Sequence, residues 1–571
     1  MVLKVVIIGG VAGGATAATR ARRLDEHAEI ILFERGEFIS FANCGLPYYL
    51  GGAIKNRWAL QVTTPDHLRD RFNIDVRTLQ EVVIIDQESK EVEVVDHRTG
   101  SKYTESYDKL LLTPGAEPIR PPLEGIDLES IFSVRTIPDT LKIDSFITQE
   151  NARSAVIIGG GFIGLEMAEN LRFRGLEVTI IELLDQVIPP LDKEMANQVE
   201  DHLRAKGVRL HLRDGVRSFR KDEGNLGGGR DGKIVVTTNG STEFTCDLVI
   251  LCIGVRPEVS IARSAGLELG ERGGIKVDQN MRTSDPNIFA VGDAVEVKDL
   301  ITDVQSLIPL AGPANKQARI AADNIMGRDS TYNGAQGTAI LKVFDLTIAV
   351  TGGNEKTLQR NGIPHLASFT ESASHATYYP GAFMMSIKLI FSPDDGKVLG
   401  AQIIGGGGVD KRIDVLATAI RAGMTVFDLQ DIELAYAPPY SSAKDPVNMA
   451  GYVAGNILNR DVSVVHWKDL EKLNIKQDGD IGSDKETATH RLLDVRDPIE
   501  LRTIGSIEGA VNIPVNELRS RMDELDKEKA WIVFCAVGQR GYVACRILIQ
   551  NGFRCMNLSG GYRMYQGTSL V

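Results

Sequence analysis

Short runs of consecutive apolar, β-branched residues alternate along the chain with stretches whose apolar positions recur every three or four residues. The first kind predicts strands buried on both faces and the second predicts helices packed on them, the pattern of a parallel α/β sheet. One such unit occurs twice, as VVIIGGVAGGATAA at 5–18 and AVIIGGGFIGLEMAE at 155–169, and each reads as strand, glycine turn and helix. Further strands are predicted at 82–86, 92–95 and 109–113, the last ending at Pro114-Gly115, then at 233–238, 248–253 and 288–291. A mixed region over 337–456 carries strands near 340–344 and 386–390 and a helix over 411–422. The polar stretch KQDGDIGSDKETATH reads as a linker, and beyond it LLDVR, WIVFCAVGQRG and FRCMNLSGG predict a separate small α/β domain.

At 571 residues the chain is long enough for about three to five domains. Its net charge, 64 − 76 = −12, argues against a nucleic-acid footprint or a basic membrane face. No apolar run reaches the ~18 residues of a bilayer span, and the glycines of MVLKVVIIGGVAGGATAA suit a strand–turn–helix better than a signal peptide. A soluble cytoplasmic protein is expected. The six cysteines, at 44, 246, 252, 535, 545 and 555, are too few for a disulfide scaffold and form no CxxC pair, so neither a zinc ribbon nor another metal site is expected.

The second glycine turn has the complete pattern Gly159-x-Gly161-x-x-Gly164, which lets a pyrophosphate approach a helix N-terminus. Glu182, at the end of the strand VTIIE, is placed for a ribose hydroxyl pair and would repel a 2′-phosphate, which favours NADH over NADPH. In the first turn Gly9 and Gly14 keep the outer places, Val11 replaces the middle glycine, and Glu34 ends the strand IILFE. In TSDPNIFAVGDA a strand ends at Gly292-Asp293, where the carboxylate can take a ribityl hydroxyl of a flavin.

These motifs, with LLLTPGAEP, resemble the two-dinucleotide-fold flavoprotein disulfide reductases over roughly residues 1–456. The resemblance implies FAD in the first fold, at Gly9, Val11, Ala12, Gly14, Glu34, Arg35, Asn43, Gly115, Gly292, Asp293, Ala311 and Ala314. The last two open PLAGPANKQARIAADNI, a helix whose positive end would face the reduced flavin. NAD would lie at Gly159, Gly161, Ile163, Gly164, Glu182 and Gly254. The segment SFANCGLPYY has Cys44 and then Tyr49 where two-cysteine members have CxxxxC, so the second sulfur must come from a small thiol, or the cysteine must cycle through a sulfenate. It resembles the single-cysteine branch that contains coenzyme A-disulfide reductase, NADH oxidase and NADH peroxidase. The loop 10–14 lacks the histidine of the oxygen- and peroxide-reducing members, which disfavours an oxidase or peroxidase. The same resemblance implies a homodimer, proton-donating phenols at Tyr378 and Tyr436, and CoA contacts at Thr16, Arg20, Arg23, Ser40, Asn43, Arg71 and Lys444.

Cys535-Ala536-Val537-Gly538-Gln539-Arg540 follows an apolar strand and precedes a helix, so successive amides and the helix dipole would stabilise a thiolate or a persulfide anion. With LLDVRDPIE and GSIEGAVNIP this resembles rhodanese domains over 486–571, with Ser506 at the usual histidine position and Asp494 and Arg496 as scaffold. A phosphatase of similar fold would need a longer loop. Cys545 and Cys555 read as packing residues.

The expected architecture is α/β: two Rossmann-like dinucleotide-binding domains, an α+β dimerisation domain and a C-terminal rhodanese-like domain. Expected bounds are 1–150 and 276–330 for FAD, 151–275 for NAD, 331–457 for the interface domain, 458–485 for a linker and 486–571 for the rhodanese domain. The expected activity is FAD-dependent reduction of CoA disulfide, CoA persulfide or polysulfide by NADH through Cys44, with Cys535 carrying sulfane sulfur and sulfide released. The rival readings are an NADH oxidase or peroxidase using a Cys44 sulfenate, and a non-catalytic redox-sensing sulfur carrier. Neither nucleic acid nor membrane is an expected partner.

Overall fold

The computed structural model describes residues 2–222, 233–473 and 490–569. The chain forms two compact units, 1–188 with 203–337 and 189–202 with 338–571.

In the first unit the apolar run Lys4–Ile8 becomes the middle strand of a five-stranded parallel sheet in the order Ile288–Ala290, Lys109–Leu112, Lys4–Ile8, Glu29–Glu34, Asp75–Thr78. The edge strand returns from far along the chain, as a split domain requires. A second parallel sheet repeats the plan in the order Val208–His211, Glu177–Ile181, Ser154–Ile158, Leu248–Leu251, Ile131–Ser133. After their first residues, Lys4 and Ser154, both central strands are apolar because helices cover both faces.

The expected domain bounds shift. Ile131–Ser133 precedes residue 151 yet belongs to the second sheet, and Ile126 and Ile131 pack in that sheet's core. Val259, Ala262 and Leu267 already pack in the first core, before residue 276, and Tyr332 and Ala335 extend it past 330. The crossing between the two folds is a short antiparallel pair, Ala116–Pro118 with Val255–Pro257. Three-residue strands carry too little periodicity to read from sequence.

In the second unit an antiparallel sheet runs Ala339–Val343, Leu346–Gly352, Val398–Gly405, Met384–Phe391, Leu366–Ala373. The helix Val409–Ala422 covers it and ends at Gly423, whose φ of +70° is the left-handed cap that favours glycine. A parallel sheet follows in the order Ser463–Val465, Arg554–Leu558, Ala530–Phe534, His490–Asp494, Val511–Asn512. Its first strand overturns part of the expected linker over 458–485. Val462, Val465 and Leu470 are buried in the C-terminal domain's cores, whereas 474–485 lie outside the described residues. Among the described residues no helix is long and apolar enough to cross a membrane.

One buried ion cluster ties this unit together. Lys388, 0% exposed, donates to Asp192 at 2.8 Å, to Glu355 at 2.7 Å and to Glu194. Lys468, from the segment after the C-terminal domain's first strand, closes on Glu355 at 3.0 Å. The three carboxylates are close enough to share a metal ion, but the lysine ammonium stands among them as their cation. Burial alone would raise Glu355; Lys388 and Lys468 instead hold it at about 2. Replacing Lys388 by Met leaves buried carboxylates uncompensated and is expected to destabilise this unit by about 3–5 kcal/mol. Urea denaturation followed by the fluorescence of Trp467 and Trp531, both in this unit, checks this.

Candidate functional site

The two glycine turns are built alike. Gly9 (φ +98°) and Gly159 (φ +106°) take conformations that favour glycine, and a Cβ on Gly14 or Gly164 would lie 1.8 or 2.1 Å from the carbonyl oxygen of Gly9 or Gly159. The helices Ala12–Arg22 and Phe162–Phe173 therefore start hard against their strands. No described side chain caps either start, and neither first turn carries an acid, so the leading amides are left for an anion. No described atom lies within 4 Å of a Cβ on Gly161. Val11, the departure from the glycine pattern, sits at the N-cap of its helix.

The two strand-end acids act on their turns. Glu34 accepts from the amides of Gly10 and Gly36, each at 2.8 Å. Glu182 accepts from Gly160 at 2.6 Å and from Leu184 at 2.8 Å. Each acid thus closes the turn beside which a ribose would lie.

The other expected nucleotide residues cluster on the first fold. The Gly292 amide donates to Gln317, buried on the helix Ala311–Ile325, at 2.8 Å. Ala311 and Ala314 open that helix, whose start no described side chain caps. Asp293 is pushed up by burial, opposed by the positive charge of Arg135. Arg135, which the sequence reading missed, is itself lowered by burial and by Arg35, and it senses Glu34. Its positive charge is felt by Asp293, one of the two acids expected to hold FAD. Arg35 lies 3.8 Å from Glu81. Gly115 and Gly254 have φ of +73° and +104° at the crossing between the folds, and Ile163 is 39% exposed in the first turn of the second helix.

Cys44 lies in a single turn, Asn43–Gly45, leading into the short helix Leu46–Leu50. That helix packs against Phe162–Phe173: Arg174 donates to Leu50 O at 3.1 Å, and a Cβ on Gly51 would meet Asn170. The packing brings in two residues absent from the sequence expectations. Tyr48 donates to Glu166 Oε1 at 3.3 Å, and Glu166 is pushed up to about 7, chiefly by burial. Cys44 is exposed by area, yet desolvation and then the charge of Glu166 push its thiol up, against the pull of its own backbone amide. Glu166 stands two residues past Gly164, where a helical pattern reads as ordinary solvated face.

The expected CoA residues are only partly free. Arg23 and Arg71 are exposed, as are Asn43 and Lys444. Arg20 donates its Nε to Asp323 at 2.7 Å, where the helices Ala12–Arg22 and Ala311–Ile325 meet. Thr16 donates to Asn315 across the same seam at 2.6 Å. Ser40 adopts φ +42° and donates its amide to Gly10 O.

In the second unit Tyr378 and Tyr436, 76% and 49% exposed, share a hydrogen bond between hydroxyls at 3.0 Å. Their two loops are joined by Arg412, which donates to Ser374 O at 2.9 Å and to Asp445 Oδ2 at 2.9 Å, and by the Ala376 amide on Ser441 O.

In the C-terminal domain Cys535 is 1% exposed, and the amide of Gly538 (φ +99°) donates to its sulfur at 3.2 Å. Ala536 and Val537 line the loop, and Gln539 opens the following helix, Gln539–Gln550. Arg540 orders the loop: it grips Glu500 at 2.7 and 2.8 Å. Asp494 and Arg496, both 0% exposed, pair at 2.6 Å, and Ser506 donates to Asp494 at 2.6 Å, a scaffold as expected.

Two nucleotide turns and one accessible cysteine on one scaffold define an oxidoreductase that brings two nucleotides to a thiol. The chain belongs to the pyridine nucleotide-disulphide oxidoreductase family, whose model matches residues 3–318. The family's dimerisation domain matches 338–446, and a rhodanese-like domain matches 480–568. The family implies FAD and a nicotinamide cofactor, and the uncapped helix starts and open Gly161 fit such groups. The chain is 36% identical over 455 residues to a coenzyme A disulfide reductase of Staphylococcus haemolyticus, covering 80% of this chain and all of that one. The crystal structure of reduced Bacillus anthracis CoADR-RHD superposes with a TM-score of 0.93 at 48% identity, covering 99% of this chain and 98% of that one. A NAD-dependent persulfide reductase from A. fulgidus superposes with a TM-score of 0.89 at 38% identity, covering 99% of this chain and all of that one.

Because Glu166 holds the Cys44 thiol up, Glu166→Gln is expected to speed alkylation of Cys44 near neutral pH by about two- to five-fold. Iodoacetamide labelling against pH, with the modified peptide quantified, checks this; an unchanged profile would remove Glu166 from the site.

Proposed function

We propose that the protein is an FAD-dependent reductase of sulfur–sulfur bonds that draws electrons from NADH, with CoA disulfide, CoA persulfide or polysulfide as substrate. The carrying observation is the lone Cys44 in SFANCGLPYY, joined in one chain to a loop whose amide points at the sulfur of Cys535. The relatives' names, coenzyme A disulfide reductase and NAD-dependent persulfide reductase, support the same class.

The chain's own residues divide the work as follows. Gly9, Gly14 and Glu34, with Arg135 and Asp293, hold FAD, and Gly159, Gly161, Gly164 and Glu182 hold the nicotinamide nucleotide. The fixed carboxylate of Glu182 disfavours a 2′-phosphate and so selects NADH. When bound, these two groups supply the electron pair. Cys44 Sγ attacks one sulfur of the substrate, a mixed disulfide forms, and the other sulfur leaves as thiolate. Tyr378 and Tyr436 of the second subunit of a homodimer donate the proton to that thiolate. The balances are CoA–S–S–CoA + NADH + H⁺ giving two CoA–SH and NAD⁺, and CoA–S–SH + NADH + H⁺ giving CoA–SH, H₂S and NAD⁺. Arg23, Arg71 and Lys444 meet the CoA phosphates. Cys535 carries sulfane sulfur as a persulfide and passes it to CoA.

NADH oxidation followed anaerobically, with sulfide assayed, separates the substrates. Faster turnover of CoA persulfide and polysulfide than of CoA disulfide, with sulfide formed, is expected, and Cys535→Ser is expected to lose sulfur transfer from thiosulfate. Full polysulfide turnover by Cys535→Ser would sink the carrier role. Rapid oxygen uptake without a disulfide would instead make Cys44 a sulfenate-cycling centre.

Replacing both tyrosines by Phe is expected to lower kcat with CoA disulfide by about 10²–10⁴ while FAD binding persists. Stopped-flow turnover beside the flavin absorbance spectrum checks it.

A further inference from the structure

Cys545 and Cys555 take no part in the chemistry proposed above. Cys545 lies 0% exposed in the helix Gln539–Gln550, which opens at the sulfur loop. Cys555 lies half-buried in the strand Arg554–Leu558 beside it. Its sulfur donates to Cys545 O at 3.6 Å, which brings the two residues together across helix and strand. That partnership raises Cys545 and lowers Cys555, so the more accessible sulfur is the one that ionises first.

The same strand and helix hold the sulfur loop. Asn557, two residues past Cys555, donates to Gly538 O at 3.2 Å, and Gly538 N–H is the donor to Cys535 Sγ. Beside it the packing leaves no slack, because a Cβ on Gly541 would lie 2.3 Å from Asn557 Oδ1. Any change in the spacing of strand and helix at 545 and 555 is therefore felt at the amide that faces Cys535.

We propose that Cys545 and Cys555 form a reversible dithiol–disulfide pair that switches the sulfur loop on reduction and off on oxidation. A hydroperoxide is the oxidant. The Cys555 thiolate attacks the peroxide oxygen; with hydrogen peroxide and one proton this gives the Cys555 sulfenic acid and water. Cys545 Sγ then attacks the sulfenic sulfur, its proton leaves with the hydroxyl as a second water, and the S–S bond closes. Two equivalents of a small thiol reverse it and leave as their own disulfide. Closure draws helix and strand together, and the displacement passes through Asn557 to Gly538, weakening the hydrogen bond to Cys535. The effect on activity rests on Cys535 being a sulfur carrier, whereas formation of the bond does not.

The full-length protein is reduced, exposed to hydrogen peroxide, alkylated and digested without reductant. A cross-linked peptide pair containing Cys545 and Cys555 is expected, in the Cys535→Ser variant as in the unaltered protein. Separately alkylated Cys545 and Cys555 would overturn the proposal. Thiosulfate-to-cyanide sulfur transfer is expected to fall severalfold on oxidation and to return with dithiothreitol. In Cys555→Ala and in Cys545→Ser, each sufficient if the other fails to fold, the reversible loss is expected to vanish. A reversible loss that persists in either variant would assign it to Cys535 itself and overturn the switch.

Discussion

Gly14 lies against the carbonyl of Gly9, and Gly164 against that of Gly159, at distances where a Cβ would stand 1.8 and 2.1 Å from oxygen. This forced contact sets the geometry of the first unit. It brings each helix start onto the end of its strand and leaves the leading amides facing outward as a fixed partial positive charge. It also fixes the second residue of each turn so that a strand-end acid can take its amide. The parallel sheets then follow, because strands linked through such helices must run the same way and be covered on both faces.

The amino-acid pattern showed this plan well, and for a physical reason. The glycine turns, the acids Glu34 and Glu182 and the Cys535 loop are each made by neighbours in sequence, so spacing alone exposes them. What escaped depends on packing between distant segments. Tyr48 and Glu166 meet because the Cys44 helix lies on the second dinucleotide helix, a meeting no local period records. Arg20 donates its Nε to Asp323, three hundred residues away along the chain, another meeting that spacing does not show. Arg540, the last residue of the sulfur loop, is gripped by Glu500, forty residues earlier along the chain. The strand Ser463–Val465 is too short to show a period and was hidden inside a stretch read as linker.

Buried charge is handled differently in the two units. In the second, Lys388 is surrounded by carboxylates, and a cluster so closely paired specifies one arrangement of the segments that supply it. Such a cluster tolerates no missing member, which suits a junction and not a reaction site. In the first unit, Glu166 and Asp293 are both raised by burial, and charge there stays incompletely balanced. Poised groups of that kind can change protonation during a reaction, which the caged lysine cannot.

The two sulfurs show the same contrast in miniature. Cys535 is buried, yet an amide is aimed at its sulfur, so a negative sulfur or persulfide finds its partner already in place. Cys44 is more accessible but has a carboxylate near it, and its thiol is held up. Protonating Glu166, which titrates near 7, removes that opposition and makes the Cys44 thiolate easier to form. Glu166 thus meets Tyr48 through a hydrogen bond and Cys44 through its charge. A sulfur that must receive electrons and release a thiolate gains from a neighbour able to hold a proton, whereas a sulfur that only carries needs a fixed donor.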